Sequence, residues 1–117
     1  MPNNTLSASV RQSNATAIID LLGEINAFGE DVLNTAYVEA NQVNPKTILL
    51  NFSGVDYINS TGIALIVGVL AQARKTGCRL LTTGLSSHYV EIFHITRLAD
   101  FMNIYPDEAS ALAGVKG

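Results

Sequence analysis

Residues 55–70 read VDYINSTGIALIVGVL. Asp56, Tyr57 and Ile58 read as a strand exit. Asn59, Ser60, Thr61 and Gly62 make a short polar turn, and Ile63 onward reads as an apolar helix. Three hydroxyl or amide side chains sit together where that helix begins. Such side chains cap helices, because their oxygens accept hydrogen bonds from the first backbone N–H groups, which have no helical partner. The same N–H groups and the positive end of the helix dipole favour a phosphate at this place. The rest of the chain reads as a scaffold that presents this turn.

Upstream of the turn, Leu6, Ala8 and Val10 alternate with polar residues, as in a half-buried strand. Gln12, Ser13 and Asn14 turn the chain, and Ala17 to Leu22 form a second strand, giving a hairpin. Gly23, Glu24, Ile25 and Asn26 end it. Asn26 caps the next helix, with Glu30 and Asp31 in its first turn and Phe28, Val32, Ala36, Ala40 and Val43 as its apolar stripe. Asn44-Pro45 stops that helix. Thr47 to Phe52 (TILLNF) is a nearly continuous apolar run, suited to a central strand covered on both faces. Ser53 to Asp56 connects it to the turn.

Downstream, the second helix runs from about Ser60 to Thr76, closed by Arg74, Lys75 and the C-terminal glycine Gly77. Arg79 to Thr83 is a further strand. Ser86 or Ser87 caps a third helix, with Tyr89, Ile92, Phe93 and Thr96 on its inner side. Asn103 to Tyr105 reads as an edge strand, and Pro106, Asp107 and Glu108 as the first turn of a closing helix. Strands alternating with helices imply an α/β fold with a mixed, mostly parallel sheet of 4–5 strands, an N-terminal hairpin and about four α-helices.

The chain has 117 residues, 48% hydrophobic and 15% charged. Those values favour one packed domain over residues 1–117. A net charge of -3 gives no basic footprint for nucleic acid. The single cysteine, Cys78, has no internal disulfide partner, which fits a cytoplasmic protein. The N-terminus lacks the pattern of a signal peptide. The apolar run Ile63 to Ala71 is far short of the roughly 20 residues of a membrane helix. There is no Walker loop, dinucleotide fingerprint or metal-spaced Cys/His cluster. His88 and His94 are six apart and read as one surface and one packing residue. Cys78 reads as core, and the acids Asp20, Glu24, Asp56 and Asp100 have no partner base, so nothing spells out general acid and base chemistry. No catalytic residue, metal or cofactor is expected.

The second helix carries a core stripe of Ile63, Ile66, Val67 and Leu70. Ala64, Leu65, Gly68, Val69 and Ala71 make most of the remaining surface apolar too. Two readings stand: a docking site for another protein beside the polar turn, or cover by neighbouring helices. Ser60 likewise reads either as a functional hydroxyl or as a plain cap worth about 1 kcal/mol.

At DYINSTGIAL the chain resembles the bacterial anti-sigma factor antagonists of the STAS domain family. Their signature is an aromatic or apolar residue, Met or Ile, Asp, Ser, Ser or Thr, Gly, then an aliphatic residue. Here it reads Tyr57, Ile58, Asn59, Ser60, Thr61, Gly62, Ile63. Gly23-Glu24-Ile25-Asn26 is similar to the family's Gly-Glu-Leu-Asp, Lys46 to Phe52 to its central strand, and Gly77 to Leu80 to the entry of its next strand. Asn59 and Asn26 each stand where the family has Asp, keeping shape and capping ability without the charge.

The resemblance implies a STAS-type fold and a partner-switching regulator of sigma-dependent transcription, not an enzyme. It implies an anti-sigma factor that is also a serine kinase as partner, and a PP2C-type serine phosphatase to reset the switch. Ser60 is the implied phosphoacceptor, with Thr61 as second choice. The implied partner surface comprises Glu24, Asn26, Asn59, Ser60, Thr61 and Gly62, continued by Ala64, Leu65 and Gly68 on the outer side of the helix. The alternatives are a non-phosphorylated scaffold that assembles with itself or other STAS proteins, and a small ligand-binding domain using the same helix N-terminus as an anion site.

Overall fold

The computed structural model describes residues 5–115. β1 (Ser7–Ser13) and β2 (Thr16–Ile25) form an antiparallel hairpin, turning at Asn14 with φ of 54°. β3 (Thr47–Ile58), β4 (Arg79–Thr83) and β5 (Asn103–Tyr105) follow in parallel, and the sheet order is β1-β2-β3-β4-β5. The helices are α1 (Glu30–Asn41), α2 (Ser60–Lys75), α3 (Ser87–Ile95) and α4 (Glu108–Ala113). The mixed sheet, its hairpin edge and four helices agree with the fold expected from the sequence.

α1, α2 and α3 cover one face of the sheet. Leu33, Tyr37, Ile66, Leu70 and Phe93 pack there with Ile19, Leu21, Ile48, Leu50 and Phe52. Phe93 meets Phe52 edge-on, with ring centroids 6.0 Å apart. α4 covers a smaller area of the opposite face, where Ala111 packs with Ile18, Leu49 and Leu81. β3 is the middle strand and is buried from Thr47 to Leu50, as its apolar run requires.

Two strands run further than expected. Gly23 to Ile25 do not end β2, and Ser53 to Asp56 are not a connection. They form a ladder of Leu22 with Gly54, Gly23 with Val55, Glu24 with Tyr57 and Ile25 with Ile58, with register shifts on either side of Leu22–Gly23. Pairing satisfies the backbone polar groups that the two segments turn toward each other. Gly23, at φ 104°, supplies the irregular conformation such a bulge needs. β4 pairs with β3 only as far as Asn51, so the β2–β3 pair projects beyond it and carries the polar turn.

The helix stripes are rotated from expectation. α1 starts at Glu30, after a 3₁₀ turn at Ala27–Gly29, and buries Leu33, Ala36, Tyr37 and Ala40. Phe28 and Val43 are exposed and Val32 is half-buried. α2 buries Gly62, Ile66, Val69, Leu70 and Ala73. Val67 is on the outside at 45% exposure, and Ile63 is half-buried. In α3 Thr96 is exposed, and its hydroxyl donates to the Ile92 carbonyl (2.8 Å). Pro106 precedes the cap of α4, which is Asp107.

α1 ends at Asn41, before the expected stop at Asn44-Pro45, whereas the end of α2 follows the sequence closely. Gly77, at φ 74°, closes α2: its N–H donates to the Arg74 carbonyl, and that of Cys78 to the Ala73 carbonyl at 2.7 Å. This pair of bonds satisfies the last carbonyls of the helix. Arg11 on β1 donates to both Asp20 on β2 and Glu108 on α4, clamping α4 to the sheet.

Candidate functional site

The polar turn is built by contacts at the end of the β2–β3 pair. The Asn59 N–H donates to the Ile25 carbonyl (3.2 Å). A Cβ on Gly62 would stand 2.1 Å from that carbonyl oxygen. Only glycine lets the first turn of α2 lie this close to the end of β2. Gly62 is therefore buried and shapes the surface from beneath. From α3, the buried Tyr89 hydroxyl accepts from the Ile58 N–H (2.9 Å) and donates to the Ile58 carbonyl (3.3 Å). The helical spacing puts Tyr89 on the inner side of α3, as found, but nothing in that spacing announces the bond.

Asn59 is the cap. Its backbone is extended (φ -89°, ψ -177°), and its Oδ1 accepts from the Gly62 N–H at 2.8 Å. The plain-cap reading of Ser60 is thereby corrected. Ser60 is the first residue of α2, is exposed, and its hydroxyl has no hydrogen bond among the described residues. Thr61 beside it is also exposed. The N–H groups of Ser60 and Thr61 belong to the helix start that has no helical acceptor, and the first turn holds no acidic residue.

The other expected surface residues fall into place around this turn. Ala64 and Gly68 are exposed, and Leu65 is half-buried and packs on the core. A Cβ on Gly68 would meet nothing within 4 Å, so no contact among the described residues requires glycine there. Val67, read as core, joins this outer side instead. Glu24 is half-buried on β2, paired with Tyr57. Asn26 is half-buried and caps the 3₁₀ turn, not α1: its Oδ1 accepts from the Phe28 N–H at 3.0 Å, while α1 has no side-chain cap. Two exposed aromatics outside the expected surface also stand beside the turn, Phe28 at 88% and Tyr57 at 53%.

Cations lie elsewhere. Among the described residues, Arg11 and Arg97 are paired with acids. Lys46, Arg74, Lys75 and Arg79 sit just before β3, in the last turn of α2 and at the start of β4. All four are at the opposite end of the sheet from Ser60. Cys78 is buried, and burial pushes its thiol up from the ordinary value, which suits a core residue and not a nucleophile. His88 and His94 are both exposed, so the expected packing histidine is absent; His88 only meets the edge of Tyr89. Among the described residues no cluster of three His, Cys, Asp or Glu side chains could hold a metal, and no helix is long and apolar enough to cross a membrane.

The family model of the STAS domain matches residues 7–111. The chain belongs to the STAS domain family. A STAS relative, the anti-sigma-B factor antagonist of Bacillus subtilis (strain 168), is 30% identical over 100 residues, covering 85% of this chain and 90% of the relative. The fold matches an anti-sigma factor antagonist from Mycobacterium paratuberculosis with a TM-score of 0.78, at 19% identity and 97% coverage of each chain. It also matches the Bacillus cell fate determinant SpoIIAA in its phosphorylated form, with a TM-score of 0.71, 20% identity, and coverage of 94% of this chain and 100% of that one. The STAS fold thus places the Asn59–Gly62 turn at the tip of the longest strand pair, with an apolar helix side beside it.

Proposed function

We propose that this STAS protein is a bacterial, cytoplasmic anti-sigma factor antagonist. The whole chain acts as one domain and as a regulator without an activity of its own. It binds an anti-sigma factor that is also a serine kinase through the Ser60 turn and the outer side of α2. Phosphorylation of Ser60 releases that partner, and a PP2C-type serine phosphatase restores binding. The observation that carries the reading is the Ser60 hydroxyl: exposed, at the first position of a helix, and free because Asn59 does the capping. The name of the Bacillus subtilis relative and the phosphorylated state of SpoIIAA support it.

The physics is a local charge change. A phosphate brings about -1.5 to -2 charge at neutral pH. At Ser60 the backbone N–H groups and dipole of α2 make it tolerable to the fold. No lysine or arginine of the described residues stands at this end to neutralise it. A partner packed on the turn would have to desolvate the phosphate, and binding is lost without refolding. Glu24, Asn26, Asn59, Thr61, Ala64, Leu65 and Gly68 complete the surface that the partner covers, and Gly62 sets its shape.

The test is intact-mass measurement with site mapping on protein from its own host, joined to partner binding by Ser60→Asp. A phosphate on Ser60 and at least about tenfold weaker binding by the variant are expected. A variant that binds as tightly as the wild type sinks the switch. A scaffold reading is favoured by Asn59, which keeps the cap but offers no carboxylate beside the hydroxyl. Self-association without phosphate acceptance would select it.

A further inference from the structure

We propose that Phe28 is the aromatic anchor of the partner interface, held out in solvent for insertion into an apolar pocket of the protein that docks on the Ser60 turn. The inference rests on the proposed function for the identity of that protein. At 88% exposure Phe28 is the most exposed large apolar side chain of the described residues. Its ring makes no ring contact with any of them. Leaving such a ring in water is unfavourable, and a loose loop would fold it onto the surface.

The loop is built so that this does not happen. The Phe28 N–H donates to Asn26 Oδ1 (3.0 Å), and the next N–H, that of Gly29, donates to the Asn26 carbonyl (2.9 Å). Gly29 is buried against Leu6, whose Cδ2 would stand 2.9 Å from a Cβ there. The backbone on both sides of the ring is therefore tied down while the ring points out. An exposed aromatic on a fixed backbone suits an interface anchor, because the loop that carries it has little ordering left to do on binding.

Its place ties it to the turn. Phe28 follows Ile25 by three residues, and the Ile25 carbonyl receives the Asn59 N–H and lies under Gly62. The ring and Ser60 thus flank one backbone junction. Phe101, the comparison, is 54% exposed at the other end of the sheet, but the Arg74 guanidinium covers its ring at 4.9 Å. Phe28 has no such cover among the described residues. Asn26, itself part of that surface, is also a positioning residue for Phe28.

The probe is the anti-sigma factor kinase retained from the host by the immobilised wild-type chain, then purified alone. Phe28→Ala should bind it at least about tenfold more weakly, chiefly through faster dissociation, with an unchanged thermal melt. Phe101→Ala should bind as the wild type does. Asn26→Ala should weaken binding, and Asn26→Asp, which keeps the accepting oxygen, should restore it. If Phe28→Ala binds normally while Ser60→Asp does not, the anchor is overturned and the switch stands. If the wild-type chain retains no kinase, or Ser60→Asp binds normally, the proposed function itself fails. A concentration-dependent dimer of the wild type that Phe28→Ala abolishes would make the occupant a second copy and overturn the proposal as stated.

Discussion

Three capping residues stand side by side at 59–61, and only one of them caps. Asn59 has the extended backbone that an N-cap needs, because it is the first residue after the Ile25–Ile58 pair that ends the ladder. Helix start and strand end are thus one event, and the sequence motif cannot say which residue meets it. Asn59→Ala should cost about 1 kcal/mol, the usual loss at a cap. Ser60→Ala should stay within about 0.5 kcal/mol of wild type, as exposed positions do. Urea unfolding of the two variants decides between them, and equal losses would return Ser60 to the capping role. Division of labour at this turn leaves a hydroxyl available for chemistry without charging the fold for its loss.

At the scale of elements, type and order were legible and orientation was not. α2 is apolar nearly all round, so a stripe through Val67 and one through Val69 match helical spacing equally well. The choice fell to the close approach of Gly62 to Ile25, which sets the rotation of the whole helix. The stripe of α1 shifts for a related reason: helical spacing includes Phe28, but the 3₁₀ turn puts it before the helix. The docking of α4 was also invisible in the sequence, since Arg11 and Glu108 are 97 residues apart. The Arg11 guanidinium holds the Asp20 and Glu108 carboxyls below their ordinary values. A carboxyl depressed in the folded state stabilises it fully above the unfolded value of about 4, and that contribution is lost as pH falls through the folded value. The groups are partly exposed, so solvent screening holds the clamp to about 0.5–1 kcal/mol. Arg11→Met should be less stable than wild type by that amount near pH 7, and the difference should shrink as pH drops toward 2. A difference that persists in acid would assign the effect to packing.

At the scale of the molecule, the turn sits on a stiff support. β3 lies between two strands over its first half, and its tip is held by Tyr89 from α3 and by β2. Such a support predicts a switch that works by surface charge alone. Ser60→Asp should keep the wild-type circular dichroism spectrum and melt within about 3 °C of it, equivalent to about 0.7 kcal/mol for a domain of this size, while losing its partner. A large drop in melting temperature would mean that charge at the turn acts by loosening the fold.

The sequence by itself determined the α/β class, the hairpin, the mostly parallel sheet, the helix end at Gly77, and the location of the polar turn, while α1 stops at Asn41, short of Asn44-Pro45. These are local properties: periodicity, caps and glycines act within a few residues of where they are written. Only the tertiary structure decided how far β2 and β3 run, which side of α1 and α2 faces the sheet, that Asn59 and not Ser60 caps, and that Asn26 fixes the turn holding Phe28 in solvent. The first three depend on pairing or packing between segments far apart in the chain, and the last combines a local Asn26 bond with the packing of Gly29 on Leu6. Backbone groups left unpaired by one local choice are satisfied by a distant strand, and a helix with two equivalent apolar faces takes its rotation from its closest neighbour.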